Sequence, residues 1–205
     1  MHNSITIPIE IQLTARSRAF IDSLRSIIDA PVPAAPPAPA APASPATRQA
    51  EIPRIGAVWP GQGGIYVGMG RGYEGIPDHH LIVPTDPRAI FEERDLGTYS
   101  VDVKGACSNH NGMANTIALA DAGSTLCKEI LGLEIDGHED FYLMSRTDAS
   151  LCMANVPELF EKDWYFTSTQ YSASSAWSQF FSHGTQGSSS KSYEGRARAV
   201  RRFVL

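Results

Sequence analysis

His183 lies among hydroxyl side chains, Ser178, Ser182, Thr185, Ser188, Ser189 and Ser190, and serines beside a histidine are the raw material of nucleophilic catalysis. That chemistry also needs a strained G-x-S-x-G elbow or an equivalent, and a third residue to orient the base. The sequence supplies neither. The oxygen-rich stretch Asp136, His138, Glu139, Asp140 has calcium-ligand types but not the alternating spacing and distal Glu of an EF-hand, so it reads as a charged turn. His79 and His80 are adjacent and would point to opposite faces of a strand, unable to share a metal; they read as structural or exposed. The three cysteines, Cys107, Cys127 and Cys152, are odd in number and far apart, which fits neither a disulfide framework nor a CxxC zinc site and indicates synthesis in a reducing cytoplasm. Gly61, Gly63, Gly64, Gly68, Gly70 and Gly72 match neither the dinucleotide fingerprint nor the P-loop, and read as a hairpin with close backbone approach. The sequence thus nominates no catalytic residue, metal or cofactor, and a protein without enzymatic activity is expected.

The elements that would position a site divide the 205 residues into three parts. Residues 1–30 hold an edge strand over 4–13, with Ile5, Ile7, Ile9, Ile11 and Leu13 at period two, and a helix over 15–29 with Phe20, Leu24, Ile27 and Ile28 on one stripe. A piece this small needs a partner for its core, so it reads as an attachment or oligomerisation segment. Residues 31–49 form a Pro/Ala-rich linker; extended as polyproline II it would rise roughly 3.1 Å per residue. Residues 50–205 form an α+β domain with much irregular structure. Strands are predicted at Ile65–Met69, His80–Val83 and Tyr99–Val103, a helix over Gly112–Leu131 that Gly123 weakens, and a second helix over Asp148–Asn155 limited by Pro157.

The net charge of −5 argues against a general nucleic-acid or anionic-membrane binder. The one basic run, Arg196, Arg198, Arg201 and Arg202, interleaves with Ala197, Ala199, Val200 and Phe203 as a closing strand does. The N-terminus shows neither a basic region nor an apolar core of a secretory signal, and no apolar run is long enough to insert in a membrane.

The last fifth of the chain is patterned differently. Trp177, Gln179, Phe181, Gln186, Lys191 and Glu194 recur as punctuation between Ser and Gly, residues that contribute little burial to a strand. The segment CKEILGLEIDGHEDFYLMSRTDASL, with DWYFTST after it, resembles the C-terminal domain family of bacterial collagen-like adhesins, whose usual motifs are G-x-x-D-W-x-L-P-[ST] and W-[ST]-S-T. Gly137, Asp140, Leu143 and Ser145 match the first motif, with Phe141 where Trp is usual and Met144 where Pro is usual; Phe166, Thr167, Ser168 and Thr169 take the place of the second. The tail is similar to the variable region of proteins diversified by a retroelement, the class that includes the phage major tropism determinant.

That resemblance, covering roughly residues 55–205, implies a C-type-lectin-like fold related to the formylglycine-generating enzymes. It also implies a surface rewritten at adenines of Asn-type codons. The variable, ligand-contacting positions are then Ser174, Ser175, Ser178, Phe180, Ser182, His183, Thr185, Gly187, Ser188, Ser189 and Ser190, within a region of about 172–193 that Ser192 and Tyr193 close. Trp177, Gln179, Gln186, Lys191 and Glu194 cannot be reached from AAC or AAT by adenine changes and fall at scaffold places; Trp177, Phe181 and the closing strand are the expected core. The implied function is non-enzymatic binding of a protein or glycan on a cell surface by a homo-oligomer, by family precedent a trimer, carried by a phage or prophage particle through the N-terminal segment. The rivals are a fixed glycan-binding adhesin and a formylglycine-generating-type oxidase, whose cysteine pair the three cysteines do not reproduce.

Overall fold

The glycine-rich stretch folds as a hairpin. The computed structural model, which describes residues 52–73 and 75–204, pairs β1 (Val58–Trp59) antiparallel with β2 (Gly64–Gly70), and β2 with β3 (His79–Pro84). Gly64 stands opposite Pro84, and a Cβ there would lie 2.3 Å from the Val83 carbonyl oxygen, so the strands approach this closely because residue 64 has no side chain. The strand and helix expected over residues 4–29 and the Pro/Ala linker lie outside the described residues.

β4 (Ile90–Arg94) follows a single 3-10 turn whose cap, Asp86, accepts from Arg88 N. The strand expected at Tyr99–Val103 does not form. Thr98 and Ser100 adopt φ of 56° and 64°, in the left-handed region, and Val101 N closes a turn on the Thr98 carbonyl. Side chains from elsewhere take the place of a ladder: Lys191 Nζ donates to the Val101 carbonyl and Val103 N donates to Gln170 Oε1.

The single helix expected over Gly112–Leu131 is two helices, α1 (Gly112–Asp121) and α2 (Thr125–Leu131). Gly123, at φ 112°, breaks the run, and Ser124 caps α2 by accepting from Cys127 N. β5 (Phe141–Leu143) leads into α3 (Arg146–Asn155). This helix begins before the expected Asp148 because Ser145 and Asp148 form a capping box: Asp148 N donates to Ser145 Oγ at 3.1 Å, and Ser145 N to Asp148 Oδ2 at 2.9 Å. Pro157 ends the helix and opens a 3-10 turn, Pro157–Leu159.

β6 (Trp164–Gln170), β7 (Ser175–Phe180), β8 (Gln186–Ser190) and β9 (Gly195–Phe203) complete a nine-stranded sheet in the order β1-β2-β3-β9-β6-β7-β8, with β4 and β5 also pairing β9. β9 is the hub, antiparallel to β3, β4 and β5 and parallel to β6 at Tyr165↔Arg196. Its period-two pattern sends Ala197 and Ala199 into a core with Leu119, Leu126, Ile130 and Phe166, and Val200 into a second core with Tyr142, Cys152, Phe160 and Phe181. The described residues therefore form a mixed α+β domain, largely β, with three helices. No helix among them is long and apolar enough to cross a membrane.

The basic run of β9 is absorbed by this packing. Arg196 bridges Glu92 and Asp163, Arg198 donates to the Leu159 and Pro84 carbonyls, and Arg201 donates to Asp140 and Gln62. Arg202 lies 5.0 Å over the Tyr142 ring and donates to Asn111 Oδ1. Both histidines of β3 are buried rather than exposed. His80 Nδ1 lies 3.0 Å from Tyr66 Oη in an aromatic cluster with Trp59 and Phe203, and burial, then the neighbouring His79, pushes its pKa down.

Candidate ligand-binding surface

β7 and β8 carry most of the sequence-predicted site, and β8 is the edge strand of the sheet among the described residues. Their register pairs Ser175 with Ser190, Ala176 with Ser189, Trp177 with Ser188, Ser178 with Gly187 and Gln179 with Gln186. Strand alternation therefore divides the predicted contact residues between two faces.

One face presents Ser175, Ser188 and Ser190 beside Trp177, above a polar base of Gln179 and Gln186. Gln186 is the centre of that base. Its Oε1 accepts from Arg146 Nε at 2.7 Å, while its Nε2 reaches Gln179 Oε1 at 3.0 Å, the Arg146 carbonyl at 3.0 Å and Ser150 Oγ at 2.9 Å. The edge of the sheet is thereby fastened to the start of α3. The Arg146 guanidinium lies 3.6 Å over the Trp177 ring, and Tyr171 meets the same ring edge-on at 5.1 Å. Trp177 is thus a half-exposed plate on Arg146 rather than part of the expected core; β7 turns it away from the buried Ala176 and Ser178. Phe181 is in the core as expected, stacked on Phe160 at 3.9 Å.

The opposite face presents Phe180, Gly187 and Ser189. Phe180 stacks on Trp164 at 5.0 Å and receives the His183 ring edge-on at 4.8 Å. A Cβ on Gly187 would lie 3.2 Å from the Trp164 ring, so a side chain at 187 needs the indole to give by a few tenths of an ångström. Beside it lies an acidic recess of about 250 Å³ lined by Glu92, Glu93, Asp163, Trp164, Tyr193 and Arg196. Ser178 is a correction: it is 1% exposed, between β6 and β8 on the inward side of β7, and cannot touch a ligand.

Ser182, His183 and Thr185 occupy the exposed β7–β8 turn. Ser174 lies in the β6–β7 turn, where its carbonyl accepts from Lys191 N at 3.0 Å. Several serines satisfy one another: Ser172 and Ser175 hydroxyls pair at 2.7 Å, Ser190 and Ser192 at 2.9 Å. These turns therefore need no large side chain. Glu194, expected among the scaffold residues, is exposed. Arg146, Trp164 and Tyr171 contribute to the surface although sequence patterning did not nominate them. Trp164 and Tyr171 flank the variable run, but only the fold brings Arg146 there from α3.

Beneath the surface Lys191 is 0% exposed. Its Nζ donates to the Val101 carbonyl at 2.9 Å and to Gln170 Oε1 at 2.6 Å, and Gln170 Nε2 donates onward to Asp102 Oδ1 at 2.7 Å. Desolvation pushes the Lys191 pKa down, with Asp102 and Cys107 opposing it.

Among the described residues no group of three or more His, Cys, Asp or Glu could hold a metal ion. All three cysteines are free, Cys107 exposed and the other two buried; burial pushes the Cys127 thiol up to about 12 and Cys152 higher still. An alkylating reagent at neutral pH is expected to modify Cys107 alone until the chain unfolds, a pattern that mass spectrometry of the labelled peptides would read. Stability from the buried Cys127 is present below the ordinary thiol value. It is lost as pH rises from about 9 towards about 12, because only the unfolded chain ionises there.

The sequence matches no model of a known protein family, and no curated protein matches it.

Proposed function

We propose that the chain is a non-enzymatic ligand-binding protein whose β7–β8 hairpin and adjoining turns form a retroelement-diversified binding surface on a C-type-lectin-like domain. The ligand is a protein or glycan on a cell surface, and the setting is a phage or prophage particle to which the N-terminal segment attaches a homo-oligomer, a trimer by the family resemblance.

One observation supports this reading: along the β7–β8 hairpin and into Lys191, replaceable residues, Ser178 apart, are interleaved with structural ones. Ser182, His183, Thr185, Ser188 and Ser190 are exposed, whereas Ala176, Gln179 and Lys191 are buried and Gln186 is bonded to Arg146, Ser150 and Gln179. A surface that must accept many side chains cannot depend on them for folding. Within the tail the fastening polar side chains, Gln179, Gln186 and Lys191, are types that Asn-codon mutagenesis does not produce. The large groups at this surface are the exposed His183 and Tyr171 and the partly buried Phe180 and Trp177. Binding energy at an interface concentrates in such aromatic anchors, so affinity per domain is modest and avidity from oligomerisation raises it.

Two measurements test the proposal. The DNA beside the gene is expected to hold a near-copy of the codons for residues 165–203, with adenines at the variable positions, near a reverse-transcriptase gene; a locus with neither removes diversification. At the protein level, Gln186→Ala is expected to cost about 2 kcal/mol in urea unfolding, from several broken hydrogen bonds, whereas Ser188→Trp shifts stability by no more than about 0.5 kcal/mol. The reverse order would show that scaffold and replaceable positions have been exchanged.

A further inference from the structure

Four strands pair on one side only among the described residues: β1, β4, β5 and β8. A strand with an unpaired side offers its backbone to another chain, and proteins suppress this by keeping such strands short, charged or bulged. Three of the four follow that rule. β1 has two residues and β5 three, while β4 carries Glu92, Glu93 and Arg94 and a register shift. β8 does not: its five residues, Gln186–Ser190, hold no charge and no proline, and they pair with β7 without a shift.

Register fixes which backbone groups face outward. Phe180 N donates to the Thr185 carbonyl and Lys191 N to the Ser174 carbonyl, so these are bonded pairs. Bonded and non-bonded pairs alternate along an antiparallel ladder, which puts Gly187 and Ser189 in bonded pairs with Ser178 and Ala176. Gln186, Ser188 and Ser190 fall in the non-bonded pairs, and their N–H and C=O groups point away from β7. The Ser190 carbonyl is closed by Tyr193 N in a turn. Both backbone groups of Gln186 and of Ser188, and the Ser190 N–H, remain without a partner among the described residues, at a repeat of about 7 Å.

Each face beside this edge carries an aromatic ring. Trp177 stands opposite Ser188 in a non-bonded pair, where side chains come closest, and Ser188 is too small to cover it. On the other face Gly187 has no side chain, and the Trp164 ring reaches it from β6, two strands away. Gln186, bonded to Arg146 and Ser150 of α3, holds the edge in place before anything binds. An added strand sends alternate side chains to opposite faces, so apolar groups on successive residues would lie against Trp177 and Trp164 in turn. A second copy of β8 supplies only Gln, Gly and Ser there and leaves both rings bare.

We propose that β8 binds an extended, apolar segment of a partner protein as an additional strand, with Gln186, Ser188 and Ser190 supplying the backbone bonds and Trp177 and Trp164 receiving alternate side chains. This rests on the reading of the hairpin as a ligand-binding surface and narrows its ligand to a polypeptide. Because the backbone makes the bonds, pairing survives replacement of the serine side chains.

The probe is an acetylated and amidated Lys-Val-Tyr-Val-Tyr-Val-Lys peptide, beside the same peptide N-methylated at every residue, which keeps the charge and side chains but cannot donate. Titration of the full chain followed by amide NMR is expected to give saturable shifts at millimolar peptide. Protection from exchange is expected to rise at the amides of Gln186, Ser188 and Ser190 but not at Gly187 and Ser189, which β7 already holds. Ser188→Ala is expected to bind as the parent does, and Trp177→Ala about tenfold more weakly. Ser188→Pro removes an N–H that bonds to nothing in the free protein, so it is expected to keep the fold and lose the peptide. Equal binding of the methylated peptide, protection without the alternation, or no shifts at millimolar peptide would each overturn strand addition. Alternating protection that grows with protein concentration in the absence of peptide would also overturn it, by assigning the edge to a second copy. A locus lacking a reverse transcriptase would remove diversification and leave the peptide result standing.

Discussion

Replacing Lys191 by Ala is expected to cost about 3 to 5 kcal/mol, the range for truncating a large buried side chain with loss of its partners. Lys191 is the one charged side chain among the largest fully buried groups. Truncation leaves a void where its methylenes were and an unpaired carbonyl at Val101; Gln170 Oε1 keeps only Val103 N. The damage reaches beyond the hairpin, because Lys191 N also holds the β6–β7 turn through Ser174 and its carbonyl accepts from Leu96 N. Amide exchange is therefore expected to accelerate at Leu96–Val103 and in the variable turns together. A Lys191→Ala variant that exchanges and unfolds like the parent would refute the role assigned here.

Lys191→Met separates packing from charge and is expected to cost less than Lys191→Ala. The sign of the pH dependence follows from the lowered pKa. Between that lowered value and the ordinary value near 10.4, the unfolded chain binds more protons than the folded one, so the Lys191 contribution rises with pH. Parent and Lys191→Met share the opposing loss from the buried thiols. The difference in their stability is accordingly expected to move in favour of the parent through that window. A constant difference would mean that the ammonium is not desolvated.

Gly64→Ala is expected to be as damaging, at about 3 kcal/mol or more, because the obstruction is backbone rather than a flexible side chain. The added methyl would meet the Val83 carbonyl oxygen at 2.3 Å, its carbon at 2.7 Å and Pro84 Cα at 2.9 Å. Relief requires β2 and β3 to separate, and β3 also pairs with β9, the hub of the sheet. The companion Gly61→Ala has open space around its Cβ but a φ of 75°, so its cost is the smaller one of left-handed backbone. Urea unfolding of the two variants distinguishes close approach from conformational freedom. Equal losses would show that β2 and β3 can part without disturbing the hub.

The sequence made the closing strand legible because alternation in RARAVRRF is a local property of the chain, and β9 follows it. The same holds for the glycine hairpin and for the body of α3 up to Pro157, although the Ser145–Asp148 capping box starts that helix ahead of the expected Asp148. It failed at Tyr99–Val103, where β-prone letters lie in a loop because Lys191 and Gln170, far along the chain, satisfy its backbone. It placed Trp177 in the core, since nothing local says that Arg146 offers a half-exposed ring a stacking partner.

For the surface, spacing along the tail set Gln179, Gln186 and Lys191 apart from the serines between them, and all three are buried or bonded within the fold. Which side of the sheet each serine and aromatic residue occupies was decided only by tertiary structure. Strand register turns Ser188 and Ser189 to opposite faces, buries Ser178 and joins Trp164 to Phe180. The type and order of residues are carried by the chain itself, whereas a surface is made by pairing segments distant in sequence, and the energy of that pairing resides in no single segment.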